Sequence, residues 1–576
     1  MTRASIALAV ALALIVCCAE ALPCTNFLIT RGASSDGSTM ISYAADSHEL
    51  YGELVCRPAR KHPPGAMRPI YDWDTGKYLG EIPEVAETYA VVGNMNEHQV
   101  SVGETTFTGR EELTNPEGRI DYGSLMFVAL ERARTARQAV EIMGELAEKY
   151  TFYSEGESFS ISDPREVWIM EMVGKGKGGK GAAWVARRIP DGYISAHANQ
   201  ARIRRFPLRD SRNCLYSKDV IAFARQKGYF NGKDSEFSFA DAYAPMTWKA
   251  LRICEARVWA MFRRAAPSLK LSSDYIMGVE GAAPLPLWIK PDRKLGVWDV
   301  MELMRDHFEG TELDLHQGVG AGPFELPYRW RPLYWELDGV QYTNERATST
   351  QQTGFSFVAQ ARSALPDPIG GVFWFGVDDT NSTVYIPMYC GIQSAPSAYA
   401  VGTADFETFS WDSAFWVFNW VSNWAYTRYR DMIPIIRREQ RQLEGSFLAD
   451  QPEVERAALD LYRRAPALAR EYLTRYSHRQ AERTVTRWRR LGQELFVKFL
   501  DGNVRDEHGK ITHPPYPEHW YRRIVRERPE MYRIRRLPGE PEEKKPGQAG
   551  QAEPKKDEPK KEPPAPDKPA EPAPRR

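Results

Sequence analysis

Apolar and polar positions change period several times along the chain. Residues 25–30 and 39–43 are strand-like, and the stretch between them, 31–38, is turn chemistry, which predicts a β-hairpin starting at Cys24. Residues 100–106 read as another strand, whereas 124–150 carry apolar residues at helical spacing with Ala, Glu and Arg between them. Two further strands, 167–173 and 182–189, flank a glycine-rich turn. The stretch 210–370 mixes helical segments with Pro- and Trp-containing loops, and a strand pair returns at 371–377 and 382–388 around the turn Asp378-Asp379-Thr380-Asn381. Residues 413–429 form an aromatic helix candidate, and 431–500 read as long charged helices with an apolar stripe, a pattern that belongs to a core more often than to a ligand site. Strands and helices in runs rather than in strict alternation predict an α+β layered fold.

The two ends differ from this body. Arg3, the apolar stretch 4–16 and Ala19-Glu20-Ala21 have the order of a signal peptide over 1–21, and the apolar stretch is shorter than the roughly 20 residues of a membrane span. An uncleaved N-terminal anchor is the alternative reading. No later segment is long and apolar enough to span, so an exported chain without stable membrane insertion is expected. Residues 537–576 are Pro, Glu, Lys and Ala with almost no apolar anchor, the composition of a disordered tail. One large domain over 24–536, including the C-terminal helices, is expected between them. Lys plus Arg and Asp plus Glu are each 76, so no whole-chain field draws in nucleic acid.

Removing 1–21 leaves Cys24, Cys56, Cys214, Cys254 and Cys390. An odd number leaves at least one thiol unpaired; the rest suit one or two disulfides in an oxidising compartment. Their spacing contains no C-x-x-C, and His48-Glu49 lacks the second histidine of H-E-x-x-H, so no metal is expected. The stretch 174–181 nearly fits a phosphate loop, but Gly181 stands where a hydroxyl is needed and a strand follows rather than a helix. An exposed hairpin turn is the expectation there. Cys24 lies just past the cleavage region and directly before a strand, which suits an N-terminal nucleophile whose own α-amine is the base. Such an amine titrates near ~8 and a thiol near ~8.5, so a proton can pass between them at neutral pH. A papain-like pair with His98 or His197 would want the cysteine at a helix start instead.

Four motifs carry a resemblance: Cys24-Thr25-Asn26-Phe27; residues 32–40; Gly93-Asn94-Met95-Asn96-Glu97-His98; and residues 193–203. They occur in the order seen in the cysteine dipeptidase family that includes dipeptidase A and, more distantly, the secernins, and the resemblance runs to about residue 535. It implies a four-layer αββα sandwich of the N-terminal-nucleophile hydrolases with a helical C-terminal portion, acting on dipeptides without a metal or organic cofactor. By resemblance Cys24 attacks the carbonyl, Asp46 helps hold its α-amine and Asn199 donates to the oxyanion. Asp46 also reads as a turn residue, Asn199 as a strand-end cap and His197 as a structural neighbour of Asn199. Tyr43 and Ala44 stand where relatives often carry a basic residue and an asparagine, and the arginine used by related acylases has no evident match. A dipeptidase must bind a free amine; Glu104 is a candidate, although a single glutamate is more often solvated surface. Within enzymes, an acylase of N-acyl amino acids or β-lactam side chains is the alternative; outside them, an exported binding protein with Cys24 in a disulfide. Cleavage after Ala21 leaves Leu22-Pro23 ahead of Cys24, so residues 22–23 read as a short propeptide.

Overall fold

The hairpin that begins at Cys24 is the middle of a seven-stranded sheet. In the structure, a computed structural model describing residues 24–539 apart from His48 and Arg331, strand Asn26–Ile29 pairs with Thr39–Ala45 on one side and Ile194–His197 on the other. Trp288–Ile289 extends one edge; Phe355–Ala361, Val372–Val377 and Ile386–Tyr389 extend the other. The leader, residues 22–23 and the tail from 540 onward lie outside the described residues.

An eight-stranded sheet faces it, with strands Ser101–Phe107 and Gly156–Ser162 packed against Asn26–Ile29 and Thr39–Ala45. All strand pairings within the two sheets are antiparallel. Strand Val167–Val173 explains why alternation is hard to read here. Val167, Ile169 and Val173 join the core that includes the facing sheet, while Trp168, Met170 and Met172 join a second core under the helices. Both faces are buried, so the strand is apolar apart from Glu171.

Helices Tyr122–Leu130 and Ala136–Tyr150 cover that second core. The single helix expected over 124–150 is broken at 131–135, where Thr135 accepts a hydrogen bond from the Gln138 N–H at 3.1 Å and caps the second helix. Gly144 lets this helix approach the sheet, since a Cβ there would lie 2.4 Å from the Trp184 ring. On the seven-stranded sheet, helix Ala414–Tyr426 packs against Val372–Val377 and helix Pro466–Lys498 against Ile386–Tyr389. Phe418 stacks on Trp488 at 4.9 Å between these helices. The long helical stretch divides at Ala465, which is extended ahead of Pro466 at the first helical position.

The glycine-rich stretch 174–181 joins the paired strands Val167–Val173 and Ala183–Arg188, with positive φ at Gly176, Gly178 and Gly181. It is a hairpin turn with an exposed tip. Cys24, Cys56, Cys214, Cys254 and Cys390 are all free, so the disulfides expected from an oxidising compartment are absent among the described residues. The chain divides into two units after Tyr516; the second contains helix Glu518–Glu527. Among the described residues no helix is long and apolar enough to cross a membrane.

Candidate functional site

Strand register alone brings the predicted residues together. Asn26 pairs with His197, and extending that antiparallel register by two residues sets Cys24 across from Asn199. On the other side Leu28 pairs with Ile41 and Thr25 bridges Ala44, which brings Cys24 level with the end of Thr39–Ala45, where Asp46 follows. One end of three neighbouring strands therefore carries a thiol, a carboxyl group and an amide.

All three are buried, Asp46 completely. Oδ1 of Asp46 accepts from the Thr353 hydroxyl at 2.5 Å, and its Oδ2 accepts from Arg346. Burial pushes the Asp46 carboxyl up and Arg346 opposes that push. Asn199 takes a left-handed φ of 59°, and its Nδ2 donates to the Thr106 oxygen at 2.6 Å.

Arg257 ties the cysteine to the asparagine. It lies near the start of helix Ala256–Ala265, fully buried, and donates to the Cys24 oxygen at 2.5 Å, the Thr25 hydroxyl at 2.8 Å and Asn199 Oδ1 at 2.9 Å. Burial first, and Arg346 second, lower its pKa to about 9. Arg346 in turn donates to the Thr25 hydroxyl at 3.3 Å. These two arginines supply the positive charge that Tyr43 and Ala44 do not. Sequence reasoning missed both because neither lies in a motif; the only signal was an arginine amid the apolar residues of 256–262.

Tyr43 has a different task. Its hydroxyl lies 3.8 Å from the Cys24 sulfur and donates to Glu104 Oε1 at 2.6 Å. Glu104 Oε1 itself lies 3.7 Å from the sulfur. The expectation of a solvated glutamate is overturned: Glu104 is 1% exposed, on a strand that pairs with Gly156–Ser162 in one sheet and packs against Asn26–Ile29 and Thr39–Ala45 of the other. Burial raises its pKa to about 7. The Cys24 thiol is pushed well above its ordinary value, by burial first and then by the Glu104 and Asp46 charges.

His197 is fully buried between the hydroxyls of Thr105 and Ser160, each at 2.7 Å, and burial lowers its pKa to about 3. It is a neutral structural link between the sheets. His98 lies beside Asp367 at 3.3 Å. Away from this cluster, His307, Glu309 and His316 each place one ligand-type atom within 4.8 Å of the others, an H-x-E pattern that neither cysteine spacing nor H-E-x-x-H covers. Each imidazole Nδ1 there already faces a carboxylate, Glu309 at 3.3 Å and Asp314 at 3.0 Å. A surface cavity of about 600 Å³ lined by Ser397, His478 and Arg489 shares no residue with the Cys24 cluster.

Known proteins add a second line. A protein of Latilactobacillus sakei called "Probable dipeptidase" is 27% identical over 400 residues, covering 66% of this chain and 76% of the relative. Another "Probable dipeptidase", from Salmonella dublin, is 26% identical over 398 residues, covering 65% and 82%. "Probable dipeptidase B" of Streptococcus pyogenes serotype M1 is 21% identical over 490 residues, covering 82% and 92%. Residues 58–442 match peptidase family C69, a span that contains Glu104, Asn199, Arg257 and Arg346 and leaves Cys24 and Asp46 upstream. With two thirds of its length in that match, the chain belongs to peptidase family C69.

Proposed function

We propose that this peptidase hydrolyses dipeptides through a thioester on Cys24, acting as an N-terminal nucleophile in a four-layer αββα sandwich. The observation that carries the reading is the convergence of Cys24, Asp46, Asn199 and Arg257, from four separate parts of the chain, at one buried end of the seven-stranded sheet. The facing sheets with helices on both outer sides suit the layered fold, and the names of the relatives support the substrate class.

The chemistry follows from the geometry. Once Cys24 is the first residue, its α-amine accepts the thiol proton and the sulfur attacks the peptide carbonyl carbon. A thiol pushed up by burial and carboxylates is protonated at rest, so the proton leaves during attack. Asp46, fixed by Arg346 and Thr353, holds the ammonium that forms. Asn199, oriented by Arg257, donates to the oxyanion; a donor of this kind is typically worth about 2.7–4 kcal/mol. The ammonium returns its proton to the leaving amine, and water then cleaves the thioester. Glu104 beside the sulfur takes the free α-amine of the substrate. Export through residues 1–21, with removal of Leu22-Pro23 by the Cys24 thiol itself, completes the proposal.

The test is a panel of free dipeptides, N-acetyl dipeptides and N-acyl amino acids on the mature protein and on Cys24→Ala. Dipeptides should be cleaved by the former alone. Preference for N-acyl amino acids would move the reading to an acylase, and wild-type turnover by Cys24→Ala would end it.

A further inference from the structure

Glu104 does not stand alone. Glu157 pairs across the strands with Thr106, is fully buried, and accepts from the Thr106 hydroxyl through Oε1 at 2.8 Å. Its carboxyl group meets that of Glu104, a contact that is a hydrogen bond only when a proton lies between them. Oε2 of Glu104 and Oε2 of Glu157 are both buried without a partner. Two buried acceptors left unmet are costly, and a buried carboxylate without a cation is more so.

Among the described residues, no such cation is among the charges that act most strongly on Glu157. The charges acting most strongly on Glu157 are Glu104 and Asp74. Tyr122 faces both glutamates from its helix, donating to Asp74 at 2.7 Å, and Tyr43 and Cys24 face Glu104 from the other sheet. Every group named is an acid or a neutral hydroxyl or thiol. What completes the site is a small cation with several N–H donors.

We propose that Glu104 and Glu157 form one ammonium-binding subsite, occupied by a shared proton in the free protein and by the α-ammonium of the substrate in the complex. The inference rests on the dipeptidase reading, since it places the acyl residue of the substrate on Cys24. In an amino acid the nitrogen lies about 2.5 Å from the carbonyl carbon, and attack brings that carbon to about 3–3.5 Å from the sulfur. The ammonium thus falls beside Glu104, whose Oε1 is 3.7 Å from the sulfur. The protons balance: the substrate arrives with one positive charge, the pair gives its shared proton to solvent, and two carboxylates then face one ammonium. Glu157 acts here as a specificity-determining residue for peptides with a free N-terminus.

The experiment compares a dipeptide with its des-amino analogue, in which hydrogen replaces the α-ammonium, in the mature wild type and in Glu157→Gln. The wild type should prefer the dipeptide, with 1/KM rising as pH passes through neutrality and the pair loses its proton. Glu157→Gln should raise KM for the dipeptide about thirtyfold or more, change kcat far less, and lose the preference and the pH step together. Thermal melting shows whether the variant is folded; relief of the buried charge should raise its Tm at pH 8. If the variant is unfolded, Glu104→Gln takes its place in the same comparison. A folded variant that keeps the dipeptide preference and the pH step overturns the inference while leaving the dipeptidase reading intact. A wild type that cleaves no dipeptide overturns both.

Discussion

Arg257 donates to the main-chain oxygen of Cys24 at 2.5 Å, and its second terminal nitrogen reaches Asn199 Oδ1 at 2.9 Å. One planar group thereby fixes the distance between the cysteine and the asparagine. A lysine cannot reproduce this, because its ammonium is a point donor without the fork. Arg257→Lys should fold and lose about a hundredfold or more in kcat, measured in single-turnover assays of thioester formation. Unchanged kcat would show that the tie has no catalytic role.

Asn199→Ala separates two roles. As an oxyanion donor, Asn199 should cost about 10²–10³ in kcat with little change in KM when removed. As a link to Thr106 alone, its loss would lower stability and leave kcat per folded molecule intact. Steady-state kinetics beside a urea denaturation curve distinguishes them.

Asp46→Asn removes the carboxylate from a buried pair with Arg346, the two side chains being 0% and 2% exposed. Breaking a buried pair from one side typically costs about 3–5 kcal/mol. The variant should unfold at lower urea and, if Asp46 holds the α-amine of Cys24 as proposed, lose activity as well. A variant with wild-type stability would contradict the pairing.

Stability against pH carries two opposite signatures. His197 has a native pKa of about 3 against 6.5 in a model peptide, so below 6.5 the unfolded chain binds a proton that the native protein does not. Its contribution to stability is lost as pH falls from 6.5 toward 3, at about 1.4 kcal/mol per pH unit. Glu104, raised from 4.5 to about 7, runs the other way: the native state holds its proton longer, and stability is lost as pH rises through that window. Below 4.5 the histidine is unopposed. Tm measured from pH 3 to 8 should therefore fall less steeply on the acid side in His197→Gln, and an identical acid limb would contradict the buried neutral imidazole.

How far the sequence disclosed this site depends on whether a residue's role is local. Cys24 and Asn199 sit at strand ends within short motifs, Asp46 directly follows the second strand, and register alone aligns the three. Arg257 and Arg346 act from a helix and a loop more than 200 positions along the chain from Cys24, where no spacing rule reaches. The hairpin at Cys24 and the strands around the glycine-rich turn were legible from turn chemistry. Gly156–Ser162 and Phe355–Ala361 were not: their polar residues, such as Ser158, Ser160 and Gln360, are buried between layers and so break the apolar pattern that marks a core strand. Glu104 misleads for the same reason, since charge reads as surface until other layers close over it.

The central claim is that the sulfur of Cys24 acts with its own α-amine as base, and the N-terminus of the active protein tests it most directly. Intact mass and N-terminal peptide mapping of active enzyme, quenched during turnover of a dipeptide, should find a chain that begins at Cys24 and carries one acyl group on that residue. Active enzyme that retains Leu22-Pro23 ahead of Cys24 would contradict the account, because an amine held in a peptide bond cannot take the proton.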